Sequence, residues 1–352
     1  MQLSVSLVDL PRTRLDKIQR YLLPTLATEK KQPSGPKEDI KLEEYKLLKE
    51  YLFQEKKLDV YPDQNLILDL GLDSLERVGL QVFIETSFGV SMEMEQLTAF
   101  ENILKLSEYL HEHKKHLSFE KINWSHILKQ KIQIKLPSTW ITSNIAVRFS
   151  HLFFKVFFRF KGKGVANIPS EPCIIVSNHQ SFLDGLFVAS FLKFAQMRKT
   201  FFYAKEKHIR SPFLKFLANR NNIIIMDLNH NLKESIQKMA EVLKKEKNLI
   251  IFPEGTRTKD GTLGDFKKTF AILSRELNVP IVPVSIHGAF EALPRGRKFP
   301  RPFRQICVEF MKPIYPGNHS YESLSDLVRS NIQHKLDSFR RRKIPKLKKI
   351  AG

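Results

Sequence analysis

The chain has 352 residues, with 58 Lys plus Arg against 37 Asp plus Glu, a formal net charge of +21. At 42 % hydrophobic and 27 % charged it can bury a real core, which excludes global disorder, and its length predicts about two domains. Two cysteines, Cys173 and Cys307, exclude a disulfide scaffold, no Cys/His cluster points to a metal, and no uncharged run reaches the roughly 18–20 residues that span a bilayer.

Charge is unevenly spread. Residues 1–117 hold 16 basic and 20 acidic side chains, and the remainder holds 42 and 17. Phenylalanine divides in the same sense, 4 against 23. An acidic module is therefore joined to a basic, Phe-rich one. No nucleic-acid-binding motif accompanies the basic charge, so no nucleic-acid partner is expected, and basic charge mixed with Phe fits an anionic lipid surface. The first residues lack the order of a signal peptide, which predicts an intracellular protein whose membrane contact is peripheral.

In chain order, residues 1–37 read as a tail and a linker, the latter rich in Pro, Gly, Ser and Lys over 26–37. Leu42, Tyr45, Leu48 and Tyr51 or Leu52 follow a 3.6-residue period and predict a helix. After a loop with Pro62 and Gly71, Asp73 precedes a second helical run through Leu75, Val78, Leu80, Val82 and Phe83. A third spans 102–113. Residues 117–140 read as a second linker. Residues 145–160 place Ile145, Phe149, Leu152, Phe153, Val156 and Phe160 on one helical face beside a basic stripe of Arg148, His151, Lys155 and Arg159. Such a helix suits the headgroup region of a membrane or the cover of a core. Apolar runs at 173–177, 222–226, 249–252 and 279–286 read as buried strands, alternating with helices that begin near Ser181, pass through Ile236, Met239, Val242 and Leu243, and span 269–277. Strand–helix alternation implies an α/β domain with a largely parallel sheet. The polybasic segment 340–349 reads as a solvated tail or a contact for an anionic leaflet.

Three motifs carry chemistry. The string LDLGLDSLE (68–76) sets Ser74 at a predicted helix start, where an ordinary helix cap is the plain alternative. It resembles the attachment site of acyl carrier proteins, and the resemblance covers about 38–116. It implies that Ser74 carries phosphopantetheine, whose thiol holds an acyl group, and that acids such as Glu76 and Glu85 meet a basic partner surface. Upstream, LPRTRLDKIQR (10–20) is similar to the C-terminal end of acyl-adenylating enzymes, with Lys17 matching their catalytic lysine and Asp16 replacing the expected Gly. The rest of such a domain is absent, so the likeness implies a remnant and a separate adenylating partner.

The strings NHQSFLD (178–184) and FPEGTRT (252–258), followed by VPIVP (279–283), together resemble the glycerolipid acyltransferase family, which includes lysophosphatidic acid acyltransferases. The resemblance covers about 145–320. Histidine suits a general base near neutral pH, and a carboxylate can orient it and stabilise its imidazolium. The family pattern gives His179 and Asp184 those roles, and sets Glu254, Gly255, Thr256 and Arg257 along the acceptor site, where Arg257 would grip phosphate oxygens. Lys267 and Lys268 are further phosphate candidates or members of a solvated face. Two departures stand out. Members selective for glycerol phosphates carry Gly, an apolar strand and Asp-Arg between these blocks, whereas this chain has Asn222, then Asp227 and Leu228. That shifts the expectation from lysophosphatidic acid toward a lysophospholipid with a head group or another lipid alcohol or amine. Thr269 stands where the family often has Gly.

The expectation is thus a glycerolipid acyltransferase-like α/β domain (141–345) preceded by a small all-α carrier bundle (38–116). It would move an acyl group from a carrier or coenzyme A thioester to a lysophosphatidic acid or lysophospholipid, in phospholipid synthesis or remodelling. It would do so as a peripheral or monotopic protein on the cytoplasmic side of the membrane. The alternative is a carrier and scaffold subunit of a fatty acid–carrier ligase system with little transferase activity of its own.

Overall fold

The computed structural model describes residues 40–118, 124–129, 136–137, 141–205, 209, 211–226 and 232–348. The adenylating-enzyme likeness at 10–20, with Lys17, lies outside them, as do Asp227 and Leu228. The chain divides into two compact units.

The first unit runs through Gly71 and resumes at Thr98–Leu117. Its first helix, α1 (Glu43–Lys56), buries Tyr45, Leu48, Tyr51 and Leu52. That is the face the 3.6-residue period marks out. Next in the chain come α2 (Ser74–Phe88) and the short α3 (Met94–Ala99), and then α4 (Ile103–His113), which packs on α1 and buries Ile103, Leu106 and Leu110. Glu44 is also buried in this unit. Its carboxylate takes Lys114 at 2.5 Å and His111 at 3.2 Å, and these partners hold it below its ordinary pKa despite the opposing effect of burial.

The second unit comprises Leu72–Leu97 and Ser118–Gly352. It contains α2, α5 (Trp124–Lys129) and α6 (Ile141–Phe157), followed by an α/β domain. In that domain β1 (Arg159–Lys163) and β2 (Ile174–Ser177) precede α7 (Asp184–Ala189) and α8 (Phe194–Lys199). Then come β3 (Thr200–Lys205), α9 (Pro212–Arg220), β4 (Ile223–Met226), α10 (Leu232–Lys244), β5 (Asn248–Ile251) and α11 (Thr269–Leu277). Last are β6 (Ile281–His287), α12 (Ala289–Ala292), β7 (Gln305–Phe310) and α13 (Tyr321–Lys348). The sheet order is β1-β7-β6-β2-β5-β3-β4. Every neighbouring pair is parallel except β6 with β7.

The central strands are apolar because helices cover both faces. β2 and β6 are buried at every position. Cys173 lies beside them, and burial pushes its thiol up to about 12, so it is inert as a nucleophile. Helix α6 ends at Phe157, so Phe160 does not continue its apolar face. Phe160 belongs to β1 and is buried against Phe187 and Phe191. The other residues of that face, Ile145, Phe149, Leu152, Phe153 and Val156, are exposed, while Val147 and Phe154 on the opposite side enter the core. Among the described residues no helix is long and apolar enough to cross a membrane. The predicted tail is helical through Lys348 as the end of α13.

Candidate active site

In a parallel sheet the loops that leave the carboxyl ends of the strands gather on one edge, where ligands bind. β2 and β5 are parallel neighbours, with Val176 opposite Ile251. The loop after β2 carries His179, and the loop after β5 carries Glu254 to Arg257. Residues 75 apart in the chain are therefore adjacent.

The loop after β2 is locked before it reaches α7. Asn178 donates to the Ile286 carbonyl at 3.0 Å and accepts from the Ile286 amide at 2.7 Å, which fixes the loop to β6. His179 and Asp184 are five residues apart, too far round a regular helix to face each other. They meet because the backbone turns sharply at Ser181 before α7 begins. His179 Nδ1 lies 2.9 Å from Asp184 Oδ2. The same oxygen accepts the amides of Gln180 at 2.6 Å and Ser181 at 2.7 Å. A carboxylate oxygen can only accept here, so Nδ1 carries the proton and Nε2 is left as the basic nitrogen. The imidazole stacks on Phe252, with ring centroids 4.4 Å apart. Asp184 is fully buried, and its Oδ1 has no partner among the described residues. Burial is the largest influence on it and raises its pKa, opposed by His179 and the two amides.

Glu254 ties this loop to its neighbours through both carboxylate oxygens. One carboxylate oxygen takes the His179 amide at 2.7 Å and the other takes the Gly264 amide at 2.9 Å. The His179 carbonyl in turn accepts the Thr258 amide at 2.9 Å. Burial raises the Glu254 pKa against the pull of those two amides. Gly255 has φ +66°, a left-handed conformation that glycine adopts without strain, and its amide closes a turn onto the Phe252 carbonyl at 3.0 Å. The turn brings Gly255 close to the Lys267 side chain.

These elements border a pocket of about 450 Å³. Part of its lining is cationic and polar: His179, Thr256, Arg257, Lys267 and Arg295. Its wall is apolar, with Phe202, Ile236, Met239 and Ile250 among the residues. Of the residues singled out from the sequence, Ser74, His179, Gly255, Thr256 and Arg257 line this one cavity. Asp184 and Glu254 stand behind it. Arg295 carries no sequence signal, because it belongs to the loop after α12 and matches none of the motifs. Thr269, the second departure, begins α11 and also lines the pocket.

Ser74 is the first residue of α2. Asp73 caps that helix by accepting the Leu75 and Glu76 amides at 2.7 and 2.9 Å, and Glu76 accepts the Asp73 amide at 2.7 Å. Such a capping box contributes about 1 kcal/mol. Gly71, at φ +61°, turns the chain into it. Ser74 Oγ is then approached by Arg77 Nη2 and Lys267 Nζ, each at 3.3 Å. A hydroxyl at a helix start with two cations beside it fits the phosphodiester of phosphopantetheine. Further along α2, Glu85 pairs with Lys233 at 2.8 Å.

The Tyr203 hydroxyl, on the pocket wall, is buried without a partner among the described residues, and burial holds its phenol well above the ordinary value. Removing an unsatisfied buried hydroxyl relieves its desolvation cost. Tyr203→Phe is expected to stabilise the unliganded protein by about 1 kcal/mol, a rise of about 2–4 °C in Tm by calorimetry. A lower Tm would show that the hydroxyl has a partner.

Comparison with known proteins adds the family level. Residues 159–287 match the family model described as Acyltransferase, and residues 52–110 match the one described as Phosphopantetheine attachment site. The chain thus combines an acyltransferase domain with a phosphopantetheine attachment domain. A chloroplastic 1-acyl-sn-glycerol-3-phosphate acyltransferase of Brassica napus is 30% identical over 198 residues, 55% of each chain. The 1-acyl-sn-glycerol-3-phosphate acyltransferase of Limnanthes douglasii is 35% identical over 160 residues, 44% of this chain and 55% of its own. The chain spans about half the length of these curated relatives. Among solved structures, the 1-acyl-sn-glycerophosphate (LPA) acyltransferase from Thermotoga maritima aligns with a TM-score of 0.48 at 26% identity, covering 56% of this chain and 78% of that one.

Proposed function

We propose that the chain is an O-acyltransferase of the 1-acylglycerol-3-phosphate O-acyltransferase type, with a carrier segment at 38–116 and a catalytic segment at 141–345. It moves a fatty acyl group from a thioester to the hydroxyl of lysophosphatidic acid or another lysophospholipid. The observation that carries this reading is the His179–Asp184 pair at a pocket lined by apolar side chains together with Arg257, Lys267 and Arg295. The acceptor's chain lies along the apolar wall, and its phosphate meets Arg257 and Arg295 beside Gly255 and Thr256.

The chemistry needs no protein nucleophile. The acceptor hydroxyl attacks the thioester carbonyl carbon as its proton passes to His179 Nε2. The C–S bond breaks, and the proton is returned to the leaving sulfur. Asp184 keeps Nδ1 protonated and offsets the imidazolium charge. Glu254 positions the His179 backbone. When bound to Ser74, phosphopantetheine supplies the thiol that carries the acyl group. Arg77 and Lys267, each 3.3 Å from Ser74 Oγ, would hold its phosphodiester. The likeness at 10–20 supports a separate acyl-adenylating enzyme as the source of that acyl group, and coenzyme A thioesters offer the same reacting bond. The exposed apolar face of α6 sits on the cytoplasmic leaflet as a peripheral contact.

A mixing experiment tests this. The chain is converted to its holo form with a phosphopantetheinyl transferase, acylated, and mixed with lysophosphatidic acid vesicles. Intact mass is expected to rise for the wild type and not for Ser74→Ala, and acyl transfer is expected to be first order and independent of protein concentration. Loading without transfer would favour the carrier and scaffold reading. Absence of loading would remove the carrier assignment.

A further inference from the structure

The connection from α12 to β7 carries a second apolar and basic surface. Between Glu291 and Glu309 the chain has no acid, and it holds Arg295, Arg297, Lys298, Arg301 and Arg304. The loop is closed at its base by the Arg301 amide on the Ala292 carbonyl at 2.8 Å. A tight turn at its tip brings the Arg297 amide onto the Pro294 carbonyl at 3.2 Å. Compact loops of this kind present their tips to the outside.

What the loop presents is unusual. Phe299 is 77% exposed and Phe303 is 72% exposed. Phe303 also has φ +56°, the left-handed region that a bulky side chain enters only against steric cost. Glycine would relieve that strain, and the exposed ring gains no burial from the fold. Strain of this kind at an exposed ring directs attention to a role outside the folded chain. The loop is also tied to the end of α6. The Phe303 amide donates to the Phe157 carbonyl at 2.8 Å, and the Arg159 amide donates to the Arg304 carbonyl at 3.0 Å. α6 bears further exposed apolar residues, Phe149 at 73% and Val156 at 74% among them. At its root, Arg295 borders the pocket.

We propose that loop 293–304 is a membrane-docking element for an anionic bilayer. Phe299 and Phe303 enter the headgroup–acyl boundary, and Arg297, Lys298, Arg301 and Arg304 meet lipid phosphates. Charge complementarity selects the occupant: a dense cluster of cations around two exposed rings matches a surface that is both anionic and apolar beneath. This docking concerns lipid binding alone and is independent of the catalytic reading.

The test uses the full chain and vesicles of phosphatidylglycerol with phosphatidylcholine, against phosphatidylcholine alone. Binding is expected to prefer the anionic vesicles. Phe299→Ser with Phe303→Gly is expected to weaken it about tenfold or more, and Arg297→Gln with Lys298→Gln by roughly fivefold per charge. Phe303→Gly alone is expected to raise Tm while weakening vesicle binding, a combination that a purely structural role does not produce. In Phe299→Trp, the added emission is expected to shift to the blue with anionic vesicles. Undiminished binding by the double phenylalanine variant, or no blue shift, would overturn the proposal. So would an equal response to soluble polyglutamate, which would move the surface to an acidic macromolecule.

Discussion

Replacing His179 with alanine is expected to lower kcat for acyl transfer by about 10³–10⁴-fold while leaving the fold in place. The side chain is 22% exposed, lines the pocket and stacks on a single ring, so its removal opens no deep cavity. The loop does not depend on it, because its amide is held by Glu254 and its carbonyl by Thr258. On the proposed mechanism the acceptor for the hydroxyl proton and the donor to the leaving sulfur are lost together, and no second histidine or carboxylate lines the pocket among the described residues. The loss corresponds to about 4–5.5 kcal/mol of transition-state stabilisation. The measurement is single-turnover transfer with a parallel thermal melt. A loss under tenfold with an unchanged melt would remove His179 from the chemistry.

Asp184→Asn separates catalysis from stability. Asparagine offers one acceptor oxygen, which can take the place of Oδ2 before His179 Nδ1 and the Gln180 and Ser181 amides. Its amide nitrogen then falls at the position of Oδ1, which has no partner among the described residues. The fold is therefore retained. Transfer is expected to fall by about 10³–10⁴-fold, because the neutral side chain no longer offsets the imidazolium charge. The pH dependence has a definite sign. Burial raises the native pKa of Asp184 above its ordinary 3.8. The native state therefore binds the proton more tightly than the unfolded chain, and this group's contribution to stability is complete below 3.8 and is lost as pH rises through the raised native value. The stability difference between variant and wild type is expected to grow in the variant's favour across that interval. Denaturant titrations at a series of pH values read it, and a difference that shrinks as pH rises would contradict a desolvated Asp184.

The elements that were legible in sequence share one property. β2, β5 and β6 are covered on both faces, so their burial is written as continuous apolar runs. β1 is an edge strand with one buried residue, Phe160, among exposed neighbours, and its pattern merges with the helix before it. That merging placed Phe160 on the wrong element. β7 carries Glu309, whose carboxylate is taken by Lys335, so it reads as a polar segment. α13 buries Leu324, Val328, Ile332 and Leu336, one residue per turn, among charges that mask the period. Glu254 was legible as a site residue by its motif, and only the structure shows both its oxygens on main-chain amides. A carboxylate with both oxygens on main-chain amides leaves no trace in residue type.

The sequence by itself determined the local chemistry. A histidine and a carboxylate within one short segment, a Pro-Glu-Gly-Thr-Arg turn after a buried strand, and a serine opening a capped helix are each specified over a few residues, because hydrogen bonds and turn geometry act at that range. The opposite charges of the two modules were likewise plain from counting. Only the tertiary structure decided which of these pieces share a cavity. Lys267 stands beside Gly255, and Arg295 stands at the same pocket, because parallel strands deliver their carboxyl ends to one edge regardless of separation along the chain. The left-handed Phe303 belongs to that second category. Its backbone conformation is imposed by ties to Phe157 and β1, and no property of phenylalanine announces it.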